Sequence, residues 1–271
     1  MTFSFLAARA GIGAAALAII ALAALHILKP EISPSRNMIS QYALGRHGWV
    51  MAVCFAAFGA GSACLFGALV TQASSLLTWI GLIFLLLAGL GLAMVAQFPM
   101  DPVSTPRQQM SFSGKMHGVL FLTGIPCMLL AVLLLSLTLG RETPYASLPL
   151  MVLTLVIWLS FGITIAIMLM VGPGKPPDPH GPERFLGLPN RLFMVGYGAW
   201  LIVVALPMAH CSCRNDVNRD TEGSLLRAIL LARFASENSQ QTTPQARPPL
   251  RSAPPGVAFT PSGRTFSRKQ R

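Results

Sequence analysis

Charge is what this sequence has least of. Only 11% of its 271 residues are Asp, Glu, Lys or Arg, against about 25% in an average soluble domain. A soluble fold so poor in charge would expose wide apolar patches and aggregate. A water-soluble globular protein is therefore excluded, and lipid is indicated as the solvent. Cysteine is also scarce, with five in the chain. Cys54, Cys64 and Cys127 fall inside apolar runs, where a thiol behaves as a small hydrophobe, so no disulfide framework is implied. Phosphate-cradling loops, dinucleotide fingerprints and nucleophile elbows are missing. The loops contain no His-x-x-x-His and no paired-cysteine spacing. His117, Asp101 and His47 are of kinds that zinc accepts, but without such spacing neither a metal nor a cofactor is expected.

Long apolar runs are what the chain has instead. A helix crossing about 30 Å of hydrocarbon needs roughly 20 mostly apolar residues. Six segments meet that requirement, near 5–28, 48–70, 76–98, 118–139, 148–172 and 192–210. Open strands would leave backbone groups unpaired in lipid, and the period-2 alternation of a barrel strand is absent. The expected fold is an all-α, six-span membrane helix bundle. The first run exceeds the roughly 7–15 residues of a signal-peptide core. It is followed by Lys29-Pro30-Glu31, a poor cleavage context, so it is read as an uncleaved span. Small residues at four-residue spacings, among them Gly59 and Gly61 in the second span and Gly81 and Gly89 in the third, predict close packing within the bundle. Pro126 is expected to bend the fourth span.

The chain divides into a membrane domain over 1–213 and a basic tail over 214–271. The tail holds ten Lys/Arg against four Asp/Glu, more than half of the net charge of +11. Anionic headgroups attract such tails, so nucleic-acid binding is not implied. Ser224 to Phe234 reads as a short amphipathic segment, and from Ser236 the composition is that of a disordered chain.

The connections are unequal. Those after spans two and four are short, whereas 29–47, 99–117 and 173–191 are long. In a six-span chain these three long loops share one face of the membrane. They carry nearly all ionisable groups of the membrane domain, including Lys29, Arg36, Arg46, Asp101, Arg107, Lys115, His117 and Arg191. Positive charges near span ends tend to stay cytoplasmic. That tendency pulls the loops inside and the basic tail inside as well, so it does not orient the bundle. Ionisable residues within the spans are confined to their ends, which argues against a proton-coupled transporter.

Three polar segments stand out: Ile32 to His47, Phe98 to Gly118, and Gly187 to Leu192. They contain Ile-Ser-x-Tyr-Ala (Ile39 to Ala43), Phe-Pro-x-Asp (Phe98 to Asp101) followed by His117, and Gly-x-x-x-Arg (Gly187 to Arg191). In these motifs and their order the chain resembles a family of bacterial and archaeal membrane proteins catalogued as domain of unknown function 998. The resemblance covers about 5–210. It implies six spans and no established activity. The expected location is multi-pass in the bacterial inner membrane.

The residues themselves point to an interfacial polar site. Asp101 ends the third span and His117 opens the fourth, and a carboxylate beside an imidazole can orient it and raise its basicity. Ser40 then serves as nucleophile or hydrogen-bond donor, giving Asp101, His117 and Ser40 as candidate catalytic residues. Arg191 can grip a phosphate or carboxylate through its planar fork. Arg36 and Tyr42, from the first segment, complete a candidate binding set for membrane lipids or an anionic headgroup. Plain structural roles stand beside these: Asp101 capping a turn after Pro99, Ser40 capping a helix, Arg191 snorkelling. The functions left open are a structural or lipid- and anion-binding protein, a lipid-active hydrolase or headgroup remodeller, and a small-solute transporter. Sequence alone does not give the oligomeric state.

Overall fold

In the computed structural model, six helices are long and apolar enough to cross a membrane, and the described residues contain no strand. The structure describes residues 3–103, 105–141, 147–171 and 180–210. All of them belong to the first of two units, Met1–Asn218. The basic tail, its amphipathic segment and the loop stretch with Lys175 and Asp178 lie outside the described residues. The helices are α1 (Phe3–Leu28), α2 (Gly48–Leu69, prolonged by a 3₁₀ turn Val70–Gln72), α3 (Leu76–Val95), α4 (Phe112–Leu139), α5 (Ser147–Val171) and α6 (Pro182–His210). The chain is a multi-pass integral membrane protein.

Two boundaries differ from those read in the sequence, each for a local reason. The fourth span starts at Phe112 rather than near 118. Ser111 caps it there, its Oγ accepting from the Gly114 amide at 3.0 Å. His117 therefore lies in the second turn of α4 instead of at its mouth. α3 ends at Val95, and the chain turns through Ala96–Phe98 by the bonds Gln97 N to Met94 O and Phe98 N to Val95 O. α4 runs unbroken past Pro126.

In lipid, apolar surface alone does not drive helices together, so close packing and interhelical hydrogen bonds must. Both occur. At the α2–α3 crossing a side chain on Gly59 would meet the Gly89 carbonyl at 2.7 Å, and one on Gly89 would meet Ser62 at 2.9 Å. Within the spans, Ser136 Oγ accepts from Trp200 Nε1 and from Thr154 Oγ1, both at 2.8 Å. Ser62 Oγ and the Tyr197 hydroxyl are 2.7 Å apart, with Ser62 also donating to the Phe58 carbonyl. Tyr197 and Trp200 stack at 6.2 Å. These contacts tie α2, α4, α5 and α6 around a buried aromatic pair.

α5 is the least embedded helix. It buries only Leu150, Thr154, Ile157, Ser160, Thr164 and Ile167, a single stripe at helical spacing. Much of the rest of its surface faces outward, with Leu155, Leu159, Ile163 and Leu169 exposed. Such a pattern suits a helix bathed in lipid. Trp49 at the start of α2 and Trp79 at the start of α3 are also exposed, near opposite ends of the bundle. Tryptophans favour both headgroup levels of a bilayer.

Candidate functional site

The three long polar segments do not act separately. The first is laid onto the opening turns of α6. Gly187 donates its amide to the Ser35 carbonyl at 2.7 Å. Asn190 Oδ1 accepts from the Ile39 amide at 2.9 Å. Arg191 Nη1 donates to the Asn37 carbonyl at 2.6 Å. The fit at Gly187 leaves no room for a side chain: a Cβ would meet the Pro34 carbonyl at 2.3 Å and the Asn37 carbonyl at 2.6 Å. Gly-x-x-x-Arg and Ile-Ser-x-Tyr-Ala are therefore two halves of one joint.

Arg191 is the centre of that joint. Beyond Asn37, its Nη1 donates to the Gly187 carbonyl at 3.0 Å, its Nε to His26 Nε2 at 2.9 Å and its Nη2 to the Tyr42 hydroxyl at 3.0 Å. Its guanidinium carbon lies 5.3 Å from the Tyr42 ring centre. A guanidinium has five N–H donors, so four are committed to protein acceptors. No pair remains free for two-pronged capture of a phosphate or carboxylate. His26 has both nitrogens engaged, Nδ1 donating to Leu22 O at 2.8 Å while Nε2 accepts from Arg191. Lys29, buried at the end of α1, donates to the carbonyls of Tyr42 and Leu44, where a cation also complements the C-terminal end of the helix dipole. Tyr42 is thus fully enclosed between two cations. Arg36, from the same loop, is exposed.

The second segment is tied down at the mouth of α4. The Asp101 carboxylate accepts from the Ser111 amide at 2.7 Å and from the Ser111 hydroxyl at 2.8 Å. Ser113 Oγ donates to the Pro99 carbonyl. Asp101 therefore buttresses the helix cap rather than orienting His117. The imidazole is oriented by the backbone: its Nδ1 lies 2.9 Å from the Phe98 carbonyl. A carbonyl can only accept, so Nδ1 carries the proton and Nε2 is left as the acceptor nitrogen.

All three segments meet at one cavity of about 160 Å³. Its walls are apolar, built from side chains such as Leu92, Ile125, Met128, Phe161, Phe193 and Met194. Among the described residues its polar lining is Ser40, His117, Asn190 and, deeper, Thr164. Thr164 is satisfied by the Ser160 carbonyl. His117 and Asn190 are only 9% and 8% exposed. Yet among the described residues His117 Nε2 and Asn190 Nδ2 have no partner, and neither does the Ser40 hydroxyl. Buried polar atoms are seldom left so. Gly118 and Met168, also in the lining, are exposed, so the cavity opens sideways between α4 and α5.

A family model described as a protein of unknown function, DUF998, matches residues 12–207. The chain belongs to the DUF998 family. The match spans all six helices of the DUF998 domain, including both halves of the Arg191 joint and the whole cavity lining. Neither a curated protein nor a solved structure matches the chain.

Of the residues singled out in the sequence, Ser40 and His117 share the cavity. Tyr42 and Arg191 share the joint, Asp101 stands at the α4 cap, and Arg36 stands apart. Sequence reasoning passed over Asn190, His26, Lys29 and Asn37. Asn190 had a signal, being the neighbour of Arg191 in the third polar segment. Among the described residues no three His, Cys, Asp or Glu gather as a metal site would require.

Proposed function

We propose that this protein binds a membrane lipid, holding a chain in the cavity with its head at the Ser40, His117 and Asn190 end. One observation carries the reading: two buried polar atoms, His117 Nε2 and Asn190 Nδ2, lack partners at one end of an otherwise apolar cavity. A lipid supplies what each end lacks, hydrogen bonds at one and apolar contact along the other. The sideways opening between α4 and α5 gives entry from the bilayer rather than from water. The compartment we assign is the bacterial cell membrane.

The test is lipid content after purification. Wild-type protein is purified in mild detergent, its lipids are extracted and quantified by mass spectrometry, and Gly118→Phe is treated alongside. Gly118 is an exposed residue of the cavity lining with nothing within 4 Å of an added Cβ, so a phenyl ring there is placed to stand across the opening. Stoichiometric lipid in wild type and its loss in Gly118→Phe is the expected result. Equal lipid in both, or none in either, refutes the reading.

A lipid-active enzyme is a second reading, favoured by the unprotonated His117 Nε2 lining the same cavity as the Ser40 hydroxyl. In it His117 is the base and Ser40 the nucleophile. Asp101, engaged by Ser111, contributes to the fold of the site and not to the chemistry. Ser40→Ala separates the two readings: the lipid profile of producing cells should depend on this hydroxyl only if turnover occurs, whereas under binding alone the substitution weakens lipid retention at most.

A further inference from the structure

Among the described residues, the polar end of the cavity is lined by no Lys, Arg, Asp or Glu. The two buried cations of the joint, Lys29 and Arg191, are engaged by Tyr42, Leu44, Asn37, Gly187 and His26. A phosphate brought into such a space loses its hydration with no cation to offset the loss.

What the space offers instead is one acceptor and one donor. His117 Nε2 accepts because its partner nitrogen donates to Phe98 O. Asn190 Nδ2 donates because its own oxygen is fixed by the Ile39 amide. A hydroxyl answers both at once, giving its proton to the imidazole and taking one from the amide. Water alone would satisfy these two atoms but leave the apolar length of the cavity empty. The volume points the same way. A dry apolar cavity of about 150 Å³ admits benzene, so this one accepts a stretch of a single chain and not two chains together.

Resting on the lipid-binding reading above, we infer that the ligand is a single-chain lipid with an uncharged, hydroxyl-bearing head. Long-chain alcohols and monoacylglycerols have that chemistry. The hydroxyl bridges His117 Nε2 and Asn190 Nδ2, the first methylenes lie against Leu92, Ile125 and Phe193, and the rest of the chain leaves between α4 and α5.

The experiment measures binding to delipidated full-length protein in detergent. Oleyl alcohol, monooleoylglycerol and lysophosphatidic acid with the same oleoyl chain are titrated in turn, read by thermal shift and by native mass spectrometry. Two variants remove the proposed contacts while keeping the structural ones. His117→Asn places an amide where Nδ1 was, preserving the bond to Phe98 O and deleting Nε2. Asn190→Asp keeps the oxygen that accepts from Ile39 and deletes the donor. The expected result is saturable binding of the two hydroxyl lipids, weakened about five- to tenfold in either variant, with little binding of the phosphate lipid. Equal or tighter binding of lysophosphatidic acid overturns the uncharged-head assignment and leaves the lipid site standing. Binding of the hydroxyl lipids that neither variant alters overturns the assignment of contacts. No saturable binding of any of the three overturns the lipid site itself.

Discussion

Gly187→Ala is a one-carbon change whose effect can be worked out from the joint. The new Cβ would lie 2.3 Å from the Pro34 carbonyl oxygen, 2.6 Å from that of Asn37 and 2.7 Å from Arg191 Nη1. A relaxed carbon–oxygen contact is about 3.3 Å, so the first loop must retreat by about 1 Å. Two of the obstacles are backbone atoms and cannot rotate aside. Retreat stretches the Gly187 to Ser35 bond, now 2.7 Å, and the Arg191 to Asn37 bond, now 2.6 Å. Overpacking of this kind costs about 1–3 kcal/mol. Weakening one neutral and one charged hydrogen bond adds about 1–2 kcal/mol, less than their full loss. The sum, about 2–5 kcal/mol, lowers the melting temperature by roughly 4–20 °C for a chain of this size. Tryptophan fluorescence of purified protein during heating reads it. Gly13→Ala and Gly162→Ala are the controls. Neither would meet a heavy atom within 4 Å, and alanine is the better helix former, so both should melt at or slightly above wild type. If Gly187→Ala melts with the controls, the joint is not as tight as described and the argument from it fails.

Other outcomes follow from the same structure. Ser136→Ala removes the shared acceptor of Trp200 and Thr154 and should cost about 1–2 kcal/mol; a double-mutant cycle with Trp200→Phe should show the two losses to be strongly non-additive. Asp101→Ala should lower thermal stability by about 1 kcal/mol through loss of the Ser111 buttress, while lipid occupancy of the folded fraction stays at the wild-type level; loss of occupancy at unchanged stability would restore Asp101 to the site. Arg191→Lys keeps the charge but not the planar fork, so it should reduce the amount of folded protein in membranes nearly as much as Arg191→Met; full rescue by lysine would mean that charge alone matters there. Reporter fusions after Arg46 and after Arg141 should give opposite signals, and like signals would contradict the six-span topology.

The span pattern was legible because apolar length is a one-dimensional property. The long-loop segments were legible too, as islands of polarity between spans. Their pairing was not. Nothing in Gly187-Leu188-Pro189-Asn190-Arg191 announces that its partners are the backbone carbonyls of Ser35 and Asn37 and the amide of Ile39, because backbone groups look alike at every position. For the same reason Asp101 and His117 look like a pair in the sequence: both are side chains visible there, whereas their partners in the structure are Ser111 and the carbonyl of Phe98. Asn190 was overlooked beside a charged neighbour, although its divided role, oxygen to the loop and nitrogen to the cavity, makes it the more informative of the two. The helix boundaries shifted where a cap decided them, as at Ser111.

The joint between the first loop and α6 also has a meaning in time. Its two sides are separated by about 150 residues of chain, the Ile39–Asn190 and Tyr42–Arg191 bonds spanning 151 and 149 positions. At a synthesis rate of about 5–20 residues per second, the first loop waits roughly 8–30 s for its counterpart. Through that interval the Ile39 amide and the Asn37 and Ser35 carbonyls must stay hydrated at the membrane surface. Only arrival of the last helix removes them from water. The joint is thus a seal completed only once the last span has been made, and a chain stopped before Gly187 leaves these backbone groups of the first loop without their partners.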